Sequence, residues 1–130
     1  MPDVSVIAVL ASTGAAFVLG GTYYAVLGDQ LAEVSEAAAA AGQPAPWELG
    51  AELLRCLILC AVVAGLAVEG GVDDWVGGLL LGLALWVGFP AVLWTGAMLH
   101  EHTPWKLAAI HAGDWLVKLL VVGAIVSVWQ

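Results

Sequence analysis

Several ionisable side chains lie inside segments that are otherwise apolar. Glu48, Glu52 and Arg55 interrupt an apolar run over 47–68, and His111, Asp114 and Lys118 stand in another over 105–129. On a helix, positions i, i+3 and i+7 share a face, so His111, Asp114 and Lys118 form one polar stripe and Glu52 and Arg55 a second. Asp114 precedes Lys118 by four residues, the favourable order for a helical ion pair. Arg55 lies about 12 Å past Trp47 and Asp114 about 13 Å past Trp105, at 1.5 Å per residue. The two stripes therefore match in depth. The charges of Glu52, Asp114, Arg55 and Lys118 also cancel, so the two helices are expected to pack with these faces together. A charge at the centre of a membrane helix costs about 2.5–3.5 kcal/mol on insertion scales, so such groups face protein or water. Two roles fit: a hydrated cavity that binds a small ion or relays protons through His111, or an ion-pair network that ties helices together within or between copies.

Two other groupings have ligand chemistry. His100-Glu101-His102 offers two imidazoles and a carboxylate, and zinc takes such donors. Alternate residues on a helix do not share a face, so a solvated loop is the expected state of this run. Cys56 and Cys60 stand at i, i+4, where a disulfide is geometrically poor; they read as small apolar fillers. No cofactor motif is present and no metal site is assigned. An enzyme would have to be built from His100, Glu101, His102 and His111, and no recognised catalytic motif contains them. The chain is therefore expected not to be an enzyme.

The elements that position these residues follow from composition. Of 130 residues, 62% are hydrophobic and 11% charged, against about 25% charged in an ordinary soluble domain. Mean hydropathy is +0.99. Three Lys+Arg against eleven Asp+Glu give a net charge of -8, which excludes a nucleic-acid binder with its basic face. The expected fold is all-α: a polytopic integral membrane protein with four transmembrane helices in one bundle, in contact with the lipid bilayer. The spans are placed at 4–27, 47–68, 75–99 and 105–129, each about long enough to cross 30 Å of hydrocarbon. A short amphipathic helix is expected over 29–41, with Leu31, Val34 and Ala38 on one face and Gly42 ending it. The first span follows Met1-Pro2-Asp3, which lacks the positive charge of a signal peptide.

Punctuation supports these limits. Gly28-Asp29 is expected to close the first helix and Gly70-Gly71 the second, with Asp73 or Asp74 capping the third. Pro46 suits a first helical position, and Thr103 is expected to cap a helix that begins at Pro104. Pro90, inside the third span, should kink it. Lys106 and Arg55 place the 29–46 and 100–104 connections in the cytoplasm and both termini outside a cell membrane. Gly78/Gly82, Ala16/Gly20 and Gly123/Ser127 are small-xxx-small pairs that let helices approach closely. Trp47, Trp75, Trp105 and Trp129 lie at segment ends, as in an aromatic belt, while Trp86, Trp94 and Trp115 lie deeper, at an interface or cavity.

Several stretches together resemble a bacterial membrane family, domain of unknown function 1761. They are Phe17-Val18-Leu19-Gly20 with Tyr23-Tyr24 and Gly28, the run from Gly82 to Phe89, and Pro104-Trp105-Lys106-Leu107 with Ile110, Ala112-Gly113, Gly123-Ala124-Ile125 and Trp129. The resemblance implies four membrane helices and no assigned activity. Its fourth helix usually carries neutral polar or aromatic residues where this chain has His111, Asp114 and Lys118, which implies that the charged stripe is local to this chain. The functional expectation is a small membrane protein, a homo-oligomer with a polar cavity or pathway for a small ion or solute. The alternatives are a structural or assembly subunit without a transported ligand and, last, a membrane-embedded enzyme.

Overall fold

A computed structural model describes residues 4–40 and 44–130. All regular structure among them is helical. α1 (Val6–Val34) begins on Ser5, whose Oγ accepts from the Ala8 N–H, and α2 (Glu36–Ala40) begins on Ser35, whose Oγ accepts from the Ala38 N–H. α3 (Pro46–Glu69) starts with proline in its first turn, where a missing N–H costs nothing. It ends in a Schellman motif. Val72 N–H donates to the Ala67 carbonyl and Gly71 N–H to that of Val68, with Gly71 at φ 68°, a left-handed conformation that glycine adopts without steric cost.

α4 (Trp75–Gly88) is capped by Asp74, whose carboxylate accepts from the Gly77 N–H at 2.8 Å. Replacing this cap should cost about 1 kcal/mol. Asp74→Ala is therefore expected to lower the unfolding midpoint in detergent by a few degrees; an unchanged midpoint would show that the turn is held by Gly71 and Val72 alone.

α5 (Pro90–His100) continues α4 after a break at Phe89, as Pro90 requires. α6 (Trp105–Val128) completes the fold. Counting α4 and α5 as one span, four segments of 24 to 29 residues are long and apolar enough to cross a membrane. The polypeptide is a multi-pass membrane protein of the all-α class. Its outward apolar residues agree: Val26 and Leu99 are each 73% exposed and Leu93 65%, a surface that lipid can cover and water would not favour.

Two boundaries differ from those expected. α1 does not stop at Gly28-Asp29 but runs on to Val34. Gly28 keeps helical geometry, since Gly71 is the one described glycine at positive φ. The extension is held from outside: Glu33, in its last turn, pairs with Lys106 at 2.7 Å. Residues 29–34 therefore belong to α1, and the separate helix expected over 29–41 is reduced to α2. The other difference is at α6, where Pro104 rather than Thr103 is the N-cap and Trp105 the first helical residue. Met1-Pro2-Asp3 and Gly42 lie outside the described residues.

α6 is the centre of the bundle. α1, α3, α4 and α5 all pack on it, and α1 also packs on α3. The closest approach is between α4 and α6, where Gly78 and Gly82 lie against the backbone of Gly123 and Leu119. The core is made of small and β-branched residues: Ala16, Cys60, Val63, Ala67, Val122 and Val126 are almost fully buried. That suits membrane helices, which associate through close packing rather than through a hydrophobic driving force. The four terminal tryptophans are exposed, as a belt at the membrane surface requires.

Candidate functional site

α6 brings Asp114 and Lys118 to the face that meets α1 and α3. Both are buried, at 4% and 7% exposure. Lys118 Nζ lies 3.0 Å from Asp114 Oδ2 and 3.6 Å from Glu52 Oε1 of α3. Arg55 Nη1 donates to Glu52 Oε2 at 2.5 Å. The result is a chain of alternating charge, Arg55–Glu52–Lys118–Asp114, across two helices. Of the expected packing of the two stripes, the Glu52–Lys118 contact is present, while Arg55 turns outward and His111 takes other partners. Gly20 on α1 makes room for it: a Cβ there would sit 2.9 Å from Lys118 Cε. Gly20 thus seats α1 against the buried lysine.

The chain is graded in exposure. Asp114 and Lys118 are buried, the Glu52 side chain is 36% exposed and that of Arg55 66%. Arg55 faces outward over half its surface although it lies well inside the span. An arginine there has a long stem on which its head can reach toward polar surroundings.

His111 lies on the same helix but outside the ion-pair chain. Its Nδ1 is hydrogen-bonded to Tyr24 Oη at 2.7 Å, and its ring stacks on Trp94 with centroids 5.0 Å apart. Tyr23, edge-on to Tyr24, donates its hydroxyl to the Ile110 carbonyl. Trp86 Nε1 donates to the Ala112 carbonyl. An aromatic girdle thus fixes the first half of α6 to α1 and to the α4–α5 arm. Sequence reasoning missed Tyr24 and Trp94 as partners of His111. The available clue was the Tyr23-Tyr24 pair itself, since a tyrosine hydroxyl inside an apolar segment needs a hydrogen-bond partner.

Tyr24, Trp94, His111 and the ion-pair chain border a cavity of about 830 Å³. It runs along one face of α3 from Glu48 past Glu52 and Arg55 to Leu59 and Val62, with Tyr24, Trp94, Asp114 and Lys118 on the opposite walls. Trp94 Nε1 is buried and has no hydrogen-bond partner among the described residues. Chemically, the cavity offers carboxylates and cations side by side, with aromatic and aliphatic walls.

The remaining candidates lie elsewhere. His100, Glu101 and His102 are exposed at the end of α5 and in the turn after it. No three His, Cys, Asp or Glu among the described residues are grouped as metal ligands. Cys56 and Cys60 are buried free thiols, and Cys56 Sγ is 3.9 Å from Glu52 Oε1.

The family model described as "Protein of unknown function (DUF1761)" matches residues 7–127. No curated protein and no solved structure matches the chain. The family match covers nearly the whole sequence, and the chain belongs to that family.

Proposed function

We propose that this DUF1761 protein is a homo-oligomeric membrane protein whose charged cavity binds a small ion or the polar part of a solute. One observation carries this reading: the buried Asp114–Lys118 pair borders an open space of about 830 Å³ instead of a close-packed core. A buried pair repays its desolvation only where its remaining hydrogen-bonding capacity is met, and here part of that capacity adjoins an open space. Here Glu48, Glu52 and Arg55 line the same space, so a charged guest meets partners of both signs.

Arg55 supports the homo-oligomer. Its side chain is two-thirds exposed on a helix face that also exposes Leu54 and Ile58, and a second copy packed on Leu54 and Ile58 would close the outer wall of the cavity beside it. Lys106, paired with Glu33 at the start of α6, favours a cytoplasmic location for that end of the bundle in a cell membrane, with the Gly70-Gly71 turn outside. No step of this reading is catalytic.

The competing reading, an assembly subunit with a purely structural ion-pair chain, is favoured by the two carboxylates that Lys118 already contacts. Mass measurement in lipid nanodiscs and ion or solute uptake into liposomes separate the two. The proposal expects a defined oligomer, and uptake that falls about tenfold or more in Arg55→Ala, as when a charge-assisted contact is lost. A defined oligomer without ligand binding or uptake would support the assembly reading instead.

A further inference from the structure

The polar cavity adjoins a second space. A groove of about 320 Å³ lies between α3 and the α4–α5 arm, and Leu59, Val62 and Trp115 line both. The groove is walled by apolar side chains, among them Leu66 on α3 and Leu85, Phe89 and Leu93 on the arm, with Leu119 of α6 at its back. The break at Pro90 lies on its wall. Along α3 the joined space follows Glu48, Glu52, Arg55, Leu59, Val62 and Leu66, spaced alternately four and three apart. That spacing keeps them on one face. The face is charged as far as Arg55 and apolar from Leu59 onward, over about 16 Å from Arg55 to Leu66.

The charges along this face also have an order. Glu48, nearest the start of α3, has no ion-pair partner among the described residues, while Arg55 has one, Glu52, and keeps its outer surface free. In a zwitterionic phospholipid the ammonium lies outermost, the phosphate next and the acyl chains deepest. The joined space presents a carboxylate, a guanidinium and an apolar groove in that same order. Planar guanidinium donors suit phosphate. An anionic headgroup without an amine would leave Glu48 unanswered, and the cavity holds three carboxylates against two cations.

The geometry points to one zwitterionic, amine-bearing phospholipid bound per chain, with its ammonium at Glu48, its phosphate at Arg55 and an acyl chain in the groove between α3 and the α4–α5 arm. This rests on the reading of the cavity as a ligand site and names the ligand class.

The test uses the full-length protein, purified in detergent and stripped of lipid. It is mixed with equal amounts of phosphatidylethanolamine and phosphatidylglycerol carrying the same acyl chains, and bound lipid is counted by native mass spectrometry. Wild type should hold one phosphatidylethanolamine per chain, with about a tenfold preference over phosphatidylglycerol. Glu48→Gln should remove most of that preference, whereas Arg55→Gln, which takes away the partner of the phosphate common to both lipids, should lower binding of both about tenfold. Val62→Trp, which fills the junction of the two spaces, should lower binding of both lipids. Far-ultraviolet dichroism and the unfolding midpoint confirm that each variant is folded.

Equal binding of the two lipids by wild type, a folded Glu48→Gln variant that keeps the preference, or a folded Arg55→Gln variant that binds both lipids as wild type does, overturns the proposal. Glycerophosphoethanolamine, the headgroup alone, separates the layers. If it binds wild type and Val62→Trp alike while phosphatidylethanolamine gains nothing from its chains, the lipid proposal fails and the polar cavity stands. If neither compound binds a folded wild type, both readings fail.

Discussion

Gly82→Leu is expected to abolish the α4–α6 contact and with it the stable fold. A Cβ on Gly82 would collide with the Leu119 carbonyl, and one on Gly78 with that of Gly123. In the other direction, a Cβ on Gly123 would meet the Gly78 carbonyl. These obstacles are backbone atoms, which cannot turn aside as a side-chain tip can. The helices would have to separate along this crossing, losing the close packing that holds membrane helices together. Overpacking a well-filled core costs about 1–3 kcal/mol, occasionally more. Here the obstacle is backbone on both sides, so a cost of at least about 3 kcal/mol is expected, most of the stability of a small domain. Gly96→Leu, on the same arm with nothing within 4 Å of its added carbon, is the control and should be close to neutral. Denaturation in mixed micelles measures both. A Gly82→Leu protein as stable as Gly96→Leu would mean that α4 and α6 do not cross as described.

Features that act through composition or through near neighbours were legible in the sequence. Long uncharged runs specify spans, because lipid cannot satisfy an open backbone. Pro90 breaks its helix because its own ring and missing N–H act on the preceding turn, and Asp74 caps because its partner is three residues away. The Glu52–Lys118 contact was within reach for another reason: two polar stripes at equal depth in a medium that penalises lone charges have few other places to go.

What escaped depended on distant partners. Gly28-Asp29 reads as a helix end by local propensity, but Glu33 reaches Lys106, 73 residues along the chain, and α1 continues. Tyr24 and His111 are 87 residues apart, and nothing in either neighbourhood names the other. The outward direction of Arg55 was hidden as well. Helical spacing assigns it to the stripe of Glu52, yet a three-residue step is 300° of rotation rather than a full turn, enough to carry a long side chain from the inner face to the rim. The open groove beside α3 was equally hidden. It exists because α3 and the α4–α5 arm both pack on α6 from different sides, which no single helix pattern records.

Lys118→Met is expected to be the most damaging substitution in the ion-pair chain, and Asp114→Asn clearly milder. Asp114 is 4% exposed, and Lys118 is its single ion-pair partner among the described residues. Arg55 cannot readily replace Lys118, because it is engaged with Glu52 and turned outward. Removing the lysine therefore strands a buried carboxylate, and breaking a buried pair in this way costs about 3–5 kcal/mol. Removing the Asp114 charge instead leaves Lys118 facing Glu52 at 3.6 Å, at the partly exposed rim, so about 1–2 kcal/mol is expected. The combined Lys118→Met, Asp114→Asn protein should then be more stable than Lys118→Met alone, since the stranded charge is gone. A double-mutant cycle in mixed micelles reads this directly as a coupling between the two sites of about 2 kcal/mol or more. Additive losses would show that the two side chains do not interact, and the electrostatic chain from Arg55 to Asp114 would break at its best-buried link. Equal losses for the two single variants would instead assign Glu52 no part in holding Lys118, which would cut the chain between α3 and α6.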